Sequence, residues 1–240
     1  QIIEYIEDLH FDEDDISYFS SLHLFSEEFL LYLKNFRFKG DIYAFPEGTV
    51  MYPNEPVLTV IAPLIDAQLI ETAVLAQINH QSLIATKTQR IVKAADGRPV
   101  SDFGARRAHN MDAAVYGARA AYIGGAAGTA TVLAGKQFGI PVGGTMAHSY
   151  VMYYQDELTA FRKYAAIYPD NCILLVDTID VLKSGVPHAI EVFREMQAAG
   201  IPLTVYGIRL DSGDLAYLSK KARKMLDEAG FPDARIVVSN

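Results

Sequence analysis

Apolar residues recur at helical spacing along the first part of the chain (Ile2, Ile3, Ile6 and Leu9, then Phe25, Phe29, Leu30 and Leu33), with acidic residues between them. This predicts helices as far as about Lys39, with Ser26 ahead of Glu27-Glu28-Phe29 as an N-cap. Between Gly40 and Pro63 the pattern shortens to β-type runs at 41–45, 49–52 and 57–61, split by Pro46-Glu47-Gly48 and Pro53-Asn54-Glu55-Pro56. Such runs predict a small antiparallel sheet. From Asp66 the helical period resumes through Leu69, Ile70, Ala73, Val74, Leu83, Ile84 and Ile91. One long helix to about Ala95 is expected, ended by Asp96-Gly97-Arg98-Pro99 and linking two domains.

Beyond Pro99, short apolar runs alternate with helical periods. Strands are predicted at 100–105, 141–147, 172–177, 203–210 and 235–239, and helices at 111–124, 157–168, 184–199 and 215–229. Repeated β-then-α at this spacing implies a parallel sheet, open or closed into a barrel. The expected organisation is an N-terminal α+β domain over 1–98, with the antiparallel sheet and the linking helix, and an α/β barrel domain over 99–240. No internal repeat or low-complexity segment interrupts it.

Composition narrows the function classes. Half of the 240 residues are hydrophobic and 21% are charged, which excludes a disordered chain. A formal net charge of −8 excludes a broad nucleic-acid surface. The one cysteine, Cys172, lies in the run Cys172-Ile173-Leu174-Leu175-Val176, so neither a disulfide framework nor a cysteine zinc site is expected, and a reducing, cytoplasmic setting is. No apolar stretch has the length of a membrane span, and no basic-then-apolar export signal is visible. The chain starts without Met inside a helical pattern and stops on a β-branched run, so truncation at both ends is expected.

The chemistry-bearing residues follow the strands, where parallel α/β proteins place their sites. After the first barrel strand comes Asp102-Phe103-Gly104-Ala105-Arg106-Arg107-Ala108-His109, a ring, a flexible glycine and two guanidiniums suited to carboxylate or phosphate; solvated loop charges would look the same. After the second comes Gly143-Gly144-Thr145-Met146-Ala147-His148-Ser149, where small residues admit a ligand beside one imidazole and two hydroxyls. Gly124-Gly125-Ala126-Ala127-Gly128-Thr129 lacks the spacing of a nucleotide motif and reads as a helix-to-strand turn. The later strands end in Asp177-Thr178-Ile179-Asp180 and in Arg209-Leu210-Asp211-Ser212-Gly213-Asp214. Carboxylates after apolar strands call for a cation or hydroxyl partners, because an unpaired buried charge is costly. N-capping accounts for Asp214 and partly for Asp180. Arg106, Arg107, Arg209, Asp177, Asp211 and His148 together suit an anionic, polyhydroxylated, metal-bound ligand such as a sugar phosphate or a phosphorylated nucleoside.

These segments, with residues 38–48, Glu55-Pro56 and Gln81-Ser82-Leu83-Ile84-Ala85-Thr86-Lys87, stand in the order seen in nicotinate phosphoribosyltransferases. The chain resembles that family from about Leu24 to Asn240. The resemblance implies an irregular, TIM-like α/β barrel, incomplete here, and normally a homodimer with shared active sites. It implies attack of nicotinate on the anomeric carbon of 5-phosphoribosyl-1-pyrophosphate, with ATP hydrolysis coupled through a phosphohistidine at His148, in the salvage branch of NAD biosynthesis. His148, Asp177 and Asp211 would be catalytic, and Phe103, Arg106, Arg107, Thr145, Ser149, Arg209 and Gly213 would bind substrate. Magnesium would be held mainly through pyrophosphate, with Asp177 and Asp211 as possible protein ligands. The family's N-terminal segment and last barrel strands are not matched, and Ala130-Thr131 stands where the family often has Ser-Asn.

The rival readings are a nicotinamide or quinolinate phosphoribosyltransferase and, from another class, a non-catalytic barrel subunit or inactive fragment. Quinolinate needs further basic residues and no ATP, against which the segment around His148 speaks. Nicotinamide favours a carboxylate facing its amide, and Ala126, in the glycine turn, is apolar.

Overall fold

In a computed structural model, which describes residues 1–154 and 156–239, the chain opens with α1 (Ile2–Asp8), α2 (Glu13–Ser21) and α3 (Glu27–Lys34). Their starts follow from local chemistry. Asp12 and Asp15 form a reciprocal capping box on α2, and Ser26 accepts the Phe29 amide at 3.2 Å on α3. β1 (Asp41–Ala44) and β2 (Leu58–Ile61) pair antiparallel, and Ile42, Leu58 and Val60 pack with Ile6, Ile70 and Val74. The expected strand at 49–52 does not form. Thr49 instead turns back onto the Pro46 carbonyl and Glu55 accepts the Tyr52 amide, while the flanking prolines offer no amide to a ladder.

The long helix α4 (Leu64–Ala94) starts two residues before Asp66. Asp66, buried, accepts hydrogen bonds from the Tyr32 hydroxyl and the Lys39 amide instead of capping the helix. β3 (Ser101–Asp102) leads into a 3-10 turn at Ala105–Arg107, α5 (Met111–Ile123), β4 (Gly128–Thr129) and α6 (Val132–Phe138). β3 and β4 run parallel, and α4 packs along α5, which groups residues 99–143 with those before them in one compact unit, Gln1–Gly143. The strand expected at 141–147 reduces to a single parallel bridge between Val142 and Thr129; pairing stops at Gly143-Gly144, and a helix begins at His148.

The second unit, Gly144–Asn240, has α7 (His148–Tyr153), α8 (Glu157–Ile167), β5 (Asn171–Leu175), α9 (Val186–Ala198), β6 (Val205–Leu210), α10 (Leu215–Glu228) and β7 (Arg235–Val238). β5, β6 and β7 form a parallel sheet in that order, with Leu175 opposite Arg209 and Arg209 opposite Val237. Leu174, Leu175, Ile208 and Leu210 are fully buried with Phe161, Phe193, Leu226 and Phe231. These continuous apolar runs are what a sheet covered on both faces requires. The expected helix at 184–199 starts later, because Val181–Gly185 forms a π turn capped by Asp180. No closed barrel forms among the described residues, whose sheets have two, two and three strands, and the fold is α/β with an incomplete barrel.

Candidate active site

In the second unit, parallel pairing sets the ends of β5 and β6 side by side, so that residues 34 apart in sequence meet. Asp177, just past β5, is almost wholly buried: its side chain is 1% exposed. Its Oδ2 accepts the Asp211 amide at 3.1 Å and the Ser212 hydroxyl, and its Oδ1 lies 3.1 Å from His148 Nε2. A carboxylate only accepts, so this contact holds the ring proton on Nε2 and leaves the Nδ1 lone pair as the reactive one. Nδ1 stands 4.0 Å from Asp211 Oδ2.

Asp211 is held from the other side. Its Oδ1 accepts from Arg209 Nη2 at 2.7 Å and from the Ser239 hydroxyl, while Arg209 Nε donates to Ser239 Oγ at 2.9 Å and Nη1 to Thr145 Oγ1 at 2.9 Å. Burial pushes the Asp211 carboxyl up, but the Ser239 hydroxyl and the Arg209 guanidinium outweigh it, and the group lies below the usual carboxylate range. The acid therefore stays ionised beside the imidazole.

The Gly185 backbone comes so close to Val176 that a Cβ there would stand 2.0 Å from the Val176 carbonyl oxygen. This approach packs the π turn against the residue that precedes Asp177. Single π turns of this kind are frequent at functional sites.

The structure thus brings together five of the expected residues, His148, Asp177, Arg209, Asp211 and Thr145. Ser149 is exposed on α7 and takes no part in this network. Gly213 is exposed in a left-handed turn at φ 78°, which glycine adopts without strain. Phe103, Arg106 and Arg107 lie in the first unit, exposed on the loop and 3-10 turn after β3. Beside that loop is a cavity of about 250 Å³ whose lining includes His80, Asp102, Arg107 and His109. Two site residues were not singled out from sequence, Ser212 and Ser239. Each is a hydroxyl within two residues of an apolar strand end, and that position was the only signal available.

No group of three or more His, Cys, Asp or Glu is placed to hold a metal ion among the described residues. Both Asp177 oxygens accept from protein donors, whereas Asp211 Oδ2 has, among the described residues, only the long contact to His148. The set fits an ion carried largely by substrate oxygens with one carboxylate contact, the usual manner for magnesium. No helix among the described residues is long and apolar enough to cross a membrane.

Comparison with known proteins gives a consistent result. Residues 1–79 match the model of the nicotinate phosphoribosyltransferase N-terminal domain, and residues 99–236 match that of the nicotinate phosphoribosyltransferase family. A nicotinate phosphoribosyltransferase of Bacillus subtilis is 53% identical over 238 residues, covering 99% of this chain and 48% of the relative. One from Mycobacterium tuberculosis is 51% identical over 239 residues, covering 100% and 50%. The crystal structure of human nicotinic acid phosphoribosyltransferase superposes with a TM-score of 0.86 at 26% identity, covering 99% of this chain and 59% of that one. The chain spans about half the length of the curated relatives it matches.

Proposed function

Because the chain belongs to the nicotinate phosphoribosyltransferase family, we propose that it serves the transfer of the phosphoribosyl group of 5-phosphoribosyl-1-pyrophosphate to nicotinate, in the salvage of NAD precursors. The pyridine nitrogen attacks the anomeric carbon, the bond to pyrophosphate breaks, and nicotinate mononucleotide and pyrophosphate leave. The observation that carries this reading is the network in which Asp177 and Arg209 hold His148 and Asp211 at the ends of β5 and β6.

The carboxylates suit the bond-breaking step. Loss of pyrophosphate leaves positive charge on the ribose, and an ionised Asp211 fixed by Arg209 and Ser239 needs no reorganisation to stabilise it. Asp211 Oδ2 would offer the protein contact for a magnesium ion, which when bound would neutralise charge on the departing pyrophosphate. In the first unit, Phe103 offers an aromatic face for a pyridine ring, and Arg106 and Arg107 offer forks for a carboxylate or a phosphate.

ATP enters through His148. Nδ1 attacks the γ-phosphorus, the bond to the bridging oxygen breaks and ADP leaves, while the Nε2 proton stays shared with Asp177, whose charge offsets the imidazolium. Hydrolysis of the phosphohistidine then returns the imidazole and releases phosphate. The working assembly is a homodimer.

The test is product formation from phosphoribosyl pyrophosphate and magnesium with nicotinate, nicotinamide or quinolinate, with and without ATP. It is run on the 240-residue chain and on the chain carried to the length of its relatives. Nicotinate mononucleotide made faster with ATP, and no product from the other bases, is the expected result. Turnover of quinolinate without an ATP response would assign a sister enzyme, and no turnover by either form with any base would leave a non-catalytic subunit.

A further inference from the structure

Asp102 ends β3 and starts the loop that carries Phe103, Arg106 and Arg107. Its carboxylate is engaged at both oxygens. Oδ1 accepts the Gly104 amide at 3.0 Å, closing a tight turn around Phe103, and Oδ2 accepts the Thr129 hydroxyl at 2.8 Å. Thr129 is itself fixed. It is 1% exposed on β4, pairs in register with Asp102, and its Oγ1 accepts the Thr131 amide at 2.9 Å. The Asp102 carbonyl also accepts the Ala130 amide at 2.9 Å. The first residues of an exposed loop are thus tied to a buried strand by backbone pairing and, on the side-chain level, by a single hydroxyl.

We propose that Asp102, held by the Thr129 hydroxyl, is the positioning residue that presents Phe103, Arg106 and Arg107 to substrate. The inference rests on the phosphoribosyltransferase reading for what those three residues bind. Of the alternatives, loop order set by the 3-10 turn alone does not explain why a buried threonine spends its proton on this carboxylate. Nor does a capping role, since Asp102 starts no helix and α5 takes its cap from Asn110. Each Asp102 oxygen already accepts a hydrogen bond from the protein, from the Gly104 amide and from the Thr129 hydroxyl, which suits a residue that works through its neighbours. An ordered loop meets substrate without first losing conformational freedom, and disordering it weakens binding more than it slows the bond-breaking step.

Thr129→Val removes the hydroxyl at nearly constant volume, Asp102→Asn keeps the Gly104 turn acceptor while removing the second carboxylate oxygen, and Thr129→Ser restores the donor. Steady-state kinetics are read on whichever form of the protein turns over, and hydrogen exchange of residues 103–109 is read on the 240-residue chain. We expect Thr129→Val and Asp102→Asn to raise KM for nicotinate or phosphoribosyl pyrophosphate about tenfold, with kcat within about twofold. Exchange in 103–109 should speed up while β5 to β7 stay protected, and Thr129→Ser should match the parent protein in both readouts. Unchanged KM and unchanged exchange in Thr129→Val overturn the inference, as does a collapse of kcat at constant KM in Asp102→Asn, which would make Asp102 catalytic. If no form turns over but exchange responds as expected, Asp102 orders the loop but presents nothing to these substrates, and the phosphoribosyltransferase reading fails with it.

Discussion

His148 Nε2 and Asp177 Oδ1 meet at 3.1 Å, with the imidazole 36% exposed and the carboxylate side chain 1% exposed. A buried acid that orients a partly open ring is the arrangement that keeps one ring nitrogen nucleophilic. We expect Asp177→Asn to cut phosphate incorporation from ATP by about 10²-fold or more, the range for a positioned acid–base partner. His148→Ala should abolish incorporation while leaving basal, ATP-independent transfer. Labelling with γ-phosphate-labelled ATP alongside a product assay separates the two, and incorporation that survives His148→Ala rules out this histidine as the acceptor.

Gly185 faces the Val176 carbonyl at a distance that no Cβ tolerates. Gly185→Ala must push the π turn off the end of β5, at a cost of about 1–3 kcal/mol by analogy with overpacked cores. Thermal melting should show a drop of several degrees together with impaired turnover, because the displaced strand end carries Asp177. An alanine variant that melts like the parent protein would mean that the turn is not packed as described.

Stability on the acid side should depend on Asp211. Its carboxyl is held below its ordinary value of 3.8, so its contribution is fully present above that value and is lost as pH falls through the lower folded-state value. Asp211→Asn should therefore flatten the acid limb of a stability-against-pH curve and leave the neutral region with the same slope. Urea midpoints taken from pH 3 to pH 7 measure this, and parallel curves for the two proteins would contradict it.

Two acids after the strands do different work. Asp180 accepts the Leu182 and Lys183 amides at 3.1 and 2.9 Å, and Asp214 accepts the Tyr217 amide at 2.9 Å. Both are N-caps, so Asp180→Ala and Asp214→Ala should each cost about 1 kcal/mol of stability with KM nearly unchanged. A large rise in KM in either variant would move that acid from capping into substrate binding.

Cys172 is fully buried, and burial pushes its thiol up to about 12. It should react with thiol reagents only when the protein unfolds, so modification in native buffer should track global unfolding. Rapid modification at neutral pH without denaturant would show that β5 opens locally.

Much of the fold was legible in order and type. The runs at 172–177, 203–210 and 235–239 are strands because unbroken β-rich apolar stretches fit a sheet covered on both faces, and Ser26, Asp180 and Asp214 cap their helices as expected. The run at 141–147 looked equally strand-like, yet only Val142 finds a partner. Periodicity records which residues prefer a pleat and does not supply a neighbouring edge to pair with. Of the candidate site, the acids and the histidine stood out because ionisable groups after apolar strands demand an explanation.

By itself, then, the sequence determined many of the elements, the caps at Ser26, Asp180 and Asp214 and the types of charged residue at the strand ends, since these depend on local propensity and short-range hydrogen bonding. The tertiary structure alone decided who meets whom. Asp66 serves Tyr32 and Lys39 rather than its own helix, and Ser239 joins Arg209 to Asp211 once β7 is in register beside β6. Side-chain hydrogen bonds are directional and short, so their partners follow from strand register and helix packing over tens of residues, and no local pattern encodes that geometry.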